Sequence, residues 1–143
     1  MEKEAESRLV KHLAFLESEL EDFPRFKSLS WESYNTDRDR RRNVERWVEN
    51  IVNSSVDIAK IILRAENQSL PDTYREILLS LALVPGFERE NLESVAERVR
   101  LRNIVTHQYL DLKWEAIKKF IQETEPLYQK FLQEAKDYLK KKI

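Results

Sequence analysis

Between Val44 and Leu63 the apolar residues return every three or four positions: Val44, Trp47, Val48, Ile51, Val52, Val56, Ala59, Ile62 and Leu63. Successive residues of an α-helix are turned by about 100°, so these positions form one continuous stripe. A stripe of that length must be covered by other elements, and the rest of the chain offers them in the same period. Leu9, Leu13, Leu16, Leu20 and Phe23 make one face of a first helix, which Pro24 is expected to close. The segment from Arg25 to Asn35 reads as a connection, with Ser30 or Thr36 available as N-caps. The long second helix should end near Glu66 or Asn67. "SLPDTY" reads as the start of a third, with Pro71 in its first turn, Tyr74, Ile77, Leu78, Leu81 and Ala82 inward, and Pro85-Gly86 as its stop. A fourth begins near Glu88. Asp111 is placed to cap a fifth, which carries Trp114, Ile117, Phe120, Ile121, Leu127, Phe131 and Leu139 and should kink or split at Pro126.

A single glycine in 143 residues argues against a β-rich fold with many tight turns. The reading is therefore all-α: an up-and-down bundle of about five helices, one domain over residues 1–143. With 41% hydrophobic residues, the chain can bury a real core. Its 25 basic and 26 acidic residues nearly cancel, so there is no global pull toward nucleic acid or an anionic membrane, and any RNA contact must use a local patch. The absence of cysteine excludes disulfides and thiolate metal sites and fits a reducing, cytoplasmic location. The charged start "MEKEAESRLVKHL" lacks the apolar core of a signal peptide, and no apolar run approaches the roughly 18 residues of a membrane span. No Gly-rich phosphate loop, paired-histidine metal spacing or serine-nucleophile signature occurs, so no cofactor and no metal are expected.

The fourth helix changes face. Leu92, Val95, Ala96 and Val99 cluster on one side; Leu101, Ile104 and Val105 cluster on nearly the opposite side. Either a kink re-aims one core face, or a second copy of the chain covers the other. The expected answer is a homodimer with this helix at or near the interface.

Where the face flips, polar chemistry gathers in "RLRNIVTHQYLDL". Arg102 and Tyr109 are seven residues apart and share a face; Asn103 and His107 are four apart and share the next. Arginine offers a permanent positive fork suited to phosphate, and histidine transfers protons near neutral pH. Together they suit metal-free cleavage of RNA, one group moving a proton and the other stabilising the charged phosphorane. Arg102 and His107 stand about 140° apart on an ideal helix. They converge only if long side chains wrap round, if the helix ends near His107, or if a second protomer supplies one of the pair. Asp57, one residue past Val56, is a candidate orienting carboxylate if its helix faces the motif. His12 receives no role. The run "DRDRRR", with Arg38, Arg40, Arg41 and Arg42, is a solvated helix start or a hold on an RNA backbone. Lys140, Lys141 and Lys142 complement a helix C-terminus.

"RNIVTHQY" resembles the arginine, four residues, histidine, one residue, tyrosine signature of the HepT-like branch of HEPN domains. Arg102, His107 and Tyr109 fall on its three fixed places, and Asn103 on the amide common after the arginine. "DIAKIIL", "PDTYREILLSL", "LVPGFERENLESVAERVRLRN" and "WEAIKKFI" resemble that family in order, so the likeness spans nearly the whole chain. It implies a compact helical bundle that dimerises, with the signature lining a cleft between protomers. It implies a metal-independent ribonuclease toxin acting on RNA (transfer or messenger RNA), paired with a minimal nucleotidyltransferase antitoxin. That partner would transfer AMP to Tyr109, adding bulk and negative charge beside Arg102 and His107. A non-catalytic module that only docks the nucleotidyltransferase, and a plain structural dimer, are the competing readings.

Overall fold

The computed structural model describes residues 1–105 and 109–143, and among these it is helical without a strand. Nine α-helices follow in order: α1 (Lys3–Leu20), α2 (Phe23–Lys27), α3 (Trp31–Thr36), α4 (Arg38–Ala65), α5 (Tyr74–Ser80), α6 (Arg89–Glu97), α7 (Leu101–Val105), α8 (Leu110–Glu123) and α9 (Glu125–Lys142). The all-α expectation holds, and among the described residues the helix count exceeds the five expected because three segments are broken by short-range chemistry and the expected connection holds one more helix, α3.

The first break is at Pro24. A proline ring clashes with the carbonyl four residues back, here Leu20, and α1 ends there. Pro24 then sits in the first turn of α2, so Phe23 belongs to α2 and not to α1. The expected connection holds a second short helix, α3. Ser30 caps it with a reciprocal pair of bonds: its hydroxyl accepts from Ser33 N–H, and Ser33 Oγ accepts from Ser30 N–H, both at 3.1 Å. Thr36 caps nothing; its hydroxyl donates back to Glu32 O, and Asp37 caps α4 by accepting from Asp39 and Arg40 N–H. The second break is a 3₁₀ turn at Arg98–Arg100 between α6 and α7. The third is at Thr124, where Pro126 opens α9, as its rigid φ favours. Two further starts differ from expectation. Thr73 caps α5 through Glu76 N–H, leaving Pro71 outside the helix. Tyr109 occupies the cap position of α8, and Asp111 lies in its first turn, where a negative charge still favours the helix dipole.

The 28-residue α4 is the spine, about 42 Å long at 1.5 Å per residue. Its stripe is buried as the spacing predicts, from Val44 through Leu63. Its C-terminus closes with Asn67 at φ +58°, whose N–H reaches Arg64 O while Gln68 N–H reaches Leu63 O, so two otherwise orphaned carbonyls are satisfied. Helix α1 packs on α4 and α9; α5 packs on α4 and α6; α7 lies against α4 and α8. Trp47 ties the first of these joints. Its indole N–H donates to Glu19 O near the end of α1 at 2.7 Å, and Phe23 meets its ring edge-on at 4.7 Å. Such a ring pair adds about 0.5–1.5 kcal/mol beyond the area it buries. One connected apolar cluster runs from Leu9 to Tyr138. Among the described residues no helix is long and apolar enough to cross a membrane.

Candidate functional site

The 3₁₀ turn decides what α7 presents. It advances the chain with three residues per turn instead of 3.6 and so shifts the phase between α6 and α7. Leu92, Val95 and Ala96 of α6 point into the core, and Leu101 of α7 returns to it. The kink thus re-aims the core face at Leu101 and turns the next two residues, Arg102 and Asn103, into a surface cleft of about 500 Å³. Tyr74 and Arg75 of α5 form one wall of this cleft; Ala96, Glu97, Val99 and Arg100 form the other.

The cleft is electropositive. Three arginines line it against one carboxylate, Glu97. That carboxylate is occupied by two of them, lying 3.7 Å from Arg75 and 4.0 Å from Arg100. Arg102 has no carboxylate within ion-pair distance among the described residues. Its guanidinium lies instead over the ring of Tyr74, 4.6 Å from the centroid, and Lys60 from α4 reaches the same ring at 4.9 Å. Cations are held there by the ring's negative face. Thr73, capping α5, fixes the start of the helix on which Tyr74 is the first residue.

The other expected site residues are distributed as follows. Asn103 lines the cleft beside Arg102 and is exposed. Tyr109 is 70% exposed, and its backbone carbonyl accepts from Lys113 N–H at 3.2 Å. His107 lies outside the described residues. Asp57 does not line the Arg102 cleft. It sits half-buried in a separate groove of about 400 Å³ between α1 and α4, with His12, Phe15, Asn50 and Asn53. Within the arginine run, Arg41 Nη1 donates to Tyr34 O and Asn35 O at the end of α3, and the exposed Arg40 pairs with Asp37 at 3.4 Å. Lys142 pairs with Glu66 at 3.1 Å. Among the described residues no three His, Asp or Glu side chains gather as a metal cage.

Sequence reasoning missed Lys60 and the role of Tyr74, which packs partly against the core as its helical spacing suggests and also carries the two cations. The ring sits at helical spacing with Ile77 and Leu78, and only its long-range contacts distinguish it.

The fold is similar to that of a tri-AMPylated Shewanella oneidensis HEPN toxin in complex with its MNT antitoxin, with a TM-score of 0.76 and 18% identity over 90% of this chain and 96% of that one. It is similar also to a chain of a toxin–antitoxin crystal structure with AMP-PNP, with a TM-score of 0.75 and 16% identity over 89% of this chain and 96% of the other. No curated protein matches it in sequence. The family model "Ribonuclease HepT-like" matches residues 16–135, most of the bundle and all of the motif from Arg102 to Tyr109, and the chain belongs to the HepT-like ribonuclease family.

Proposed function

We propose that this chain is the toxin of a toxin–antitoxin pair and cuts RNA without a metal ion, with Arg102 and His107 as its catalytic residues. The observation that carries the reading is the state of Arg102: a half-buried guanidinium in an arginine-lined cleft, with no carboxylate partner among the described residues. An arginine of that kind is available to a phosphate, and it lies seven residues before the exposed Tyr109. Family membership and the fold shared with HEPN toxins support the same reading.

The chemistry is a transesterification. The RNA 2′-oxygen bonds to phosphorus and the bond to the 5′-oxygen breaks. A base takes the 2′-hydroxyl proton and an acid returns one to the 5′-oxygen, while Arg102 balances the charge that grows on the phosphorane. The motif brings one histidine per chain. A homodimer would supply the second proton-transfer group, and this is the oligomer we propose. The silencing partner is a minimal nucleotidyltransferase that places AMP on Tyr109; each adenylate brings negative charge that repels an RNA phosphate from the cleft.

The test is incubation of purified, AMP-free protein with transfer RNA and messenger RNA in EDTA, beside His107→Ala. Cleavage by the wild type alone is expected. Cleavage by both proteins alike would remove His107 from the site. No cleavage by the AMP-free wild type would make the cleft a docking surface for the nucleotidyltransferase.

A further inference from the structure

Two cations on one ring, with no carboxylate between them, need an explanation. Arg102 and Lys60 both lie within 4.9 Å of the Tyr74 centroid, and among the described residues neither has an ion-pair partner. The nearest cleft carboxylate, Glu97, is already shared by Arg75 and Arg100. Arginine has a long side chain whose rotamer freedom must be given up when it is immobilised. A carboxylate would hold it firmly but would cancel the charge a phosphate must see. An aromatic ring holds a guanidinium in place and leaves its charge intact. A second cation on the same ring adds repulsion, and a bound anion relieves it.

We infer that Tyr74 is a positioning residue that seats Arg102 for a phosphodiester, and that Lys60 is the second cation of the same anion-binding element. The ligand class is an RNA phosphate, so the inference rests on the function proposed above and extends it to two residues outside the motif. Tyr74 acts through Arg102 and touches no reacting atom. Its hydroxyl is dispensable because the ring face does the holding.

The prediction separates seating from mere structural support. Single-turnover cleavage by Tyr74→Phe should stay within about two-fold of wild type, since the ring remains. Tyr74→Leu should fall by about a hundred-fold, the scale expected when a catalytic group is misplaced by about 1 Å. On an Arg102→Ala background the same leucine should cost almost nothing further, because the residue it seats is gone. An equal loss on both backgrounds would overturn the proposal, as would a Tyr74→Leu enzyme with the wild-type rate.

Two readouts do not depend on cleavage. The Nε–H resonance of Arg102 should carry a ring-current shift that Tyr74→Phe keeps and Tyr74→Leu loses. Binding of a non-cleavable 2′-O-methyl RNA oligonucleotide should weaken several-fold in Lys60→Met, with the salt slope reduced by about one. An unchanged slope in Lys60→Met would remove Lys60 from the anion site, even if RNA is cleaved. A wild-type protein that binds the oligonucleotide with these dependences but cuts no RNA would keep the anion-binding element and defeat only the nuclease reading.

Discussion

The hydroxyl of Tyr34 donates to the Glu45 carboxylate at 2.6 Å, from a side chain wholly shielded from solvent. Lys113 of α8 stands 3.8 Å from the same carboxylate. Three helices, α3, α4 and α8, are thereby joined at one largely buried charge just beyond the motif. Burial pushes the Tyr34 hydroxyl far above the ordinary phenol range, and the neighbouring Glu45 charge pushes it further. Tyr34→Phe keeps the ring contact with Trp114 and removes only the donor. It should destabilise the protein by about 1.5–3 kcal/mol, the range for a hydrogen bond to a charged group. Urea unfolding measures this, and a variant within about 0.5 kcal/mol of wild type would show that Lys113 alone satisfies Glu45.

Asn67 holds a left-handed conformation at the end of α4, φ +58°. A β-branched residue there meets its own carbonyl, so Asn67→Val should cost about 1–2 kcal/mol. Asn67→Gly should be as stable as wild type or slightly more so. A thermal melt of the two variants side by side decides it; equal melting temperatures would mean the turn relaxes freely.

Glu66 gives the acid limb of the stability curve a defined contributor. The Tyr138 hydroxyl donates to its carboxylate at 2.7 Å, and Lys142 lies 3.1 Å away. Chiefly through the Tyr138 bond, these hold its carboxyl below the ordinary value of 4.5. A depressed folded value means stability that is complete above the unfolded value and lost as pH falls through the folded one. Glu66→Gln should therefore lower the urea midpoint at neutral pH, and the gap from wild type should close as pH falls through the depressed carboxyl's titration. A gap that is constant with pH would assign the effect to packing.

Tyr109, 70% exposed at the entry to α8, is open to a modifying enzyme. Co-expression with the nucleotidyltransferase should raise the intact mass by whole AMP units. Tyr109→Phe should stay at its unmodified mass and remain toxic in the presence of the partner. An AMP-bearing Tyr109→Phe protein would place the modification elsewhere.

Periodicity made most of the architecture legible. The α4 stripe is buried where its spacing says, and Pro126 divides α8 from α9. Proline and cap positions were less legible, because Pro71 and Asp111 each fit a helix start that a neighbouring residue, Thr73 or Tyr109, takes instead. Arg102 and Asn103 are adjacent in the sequence and line the same cleft. Asp57 lines a groove with His12 and not the Arg102 cleft, a placement that depends on which helix covers each side of α4 and that no local spacing carries. Tyr74 was invisible as anything but core. Its partners come from α4 and α7, and no local pattern encodes a contact between elements that distant.

The 3₁₀ turn at Arg98–Arg100 also constrains how the chain can vary. Upstream of it, α6 is fixed to the core by Leu92, Val95 and Ala96. Downstream, Arg102 must meet a ring supplied by another helix. Gaining or losing one residue in the turn would rotate α7 by about 100° against α6, while leaving every apolar side chain of α6 in place. Such a chain would turn Arg102 away from Tyr74 and Leu101 away from the core. The length of this turn thus sets two contacts at once, the ring under Arg102 and the core contact of Leu101.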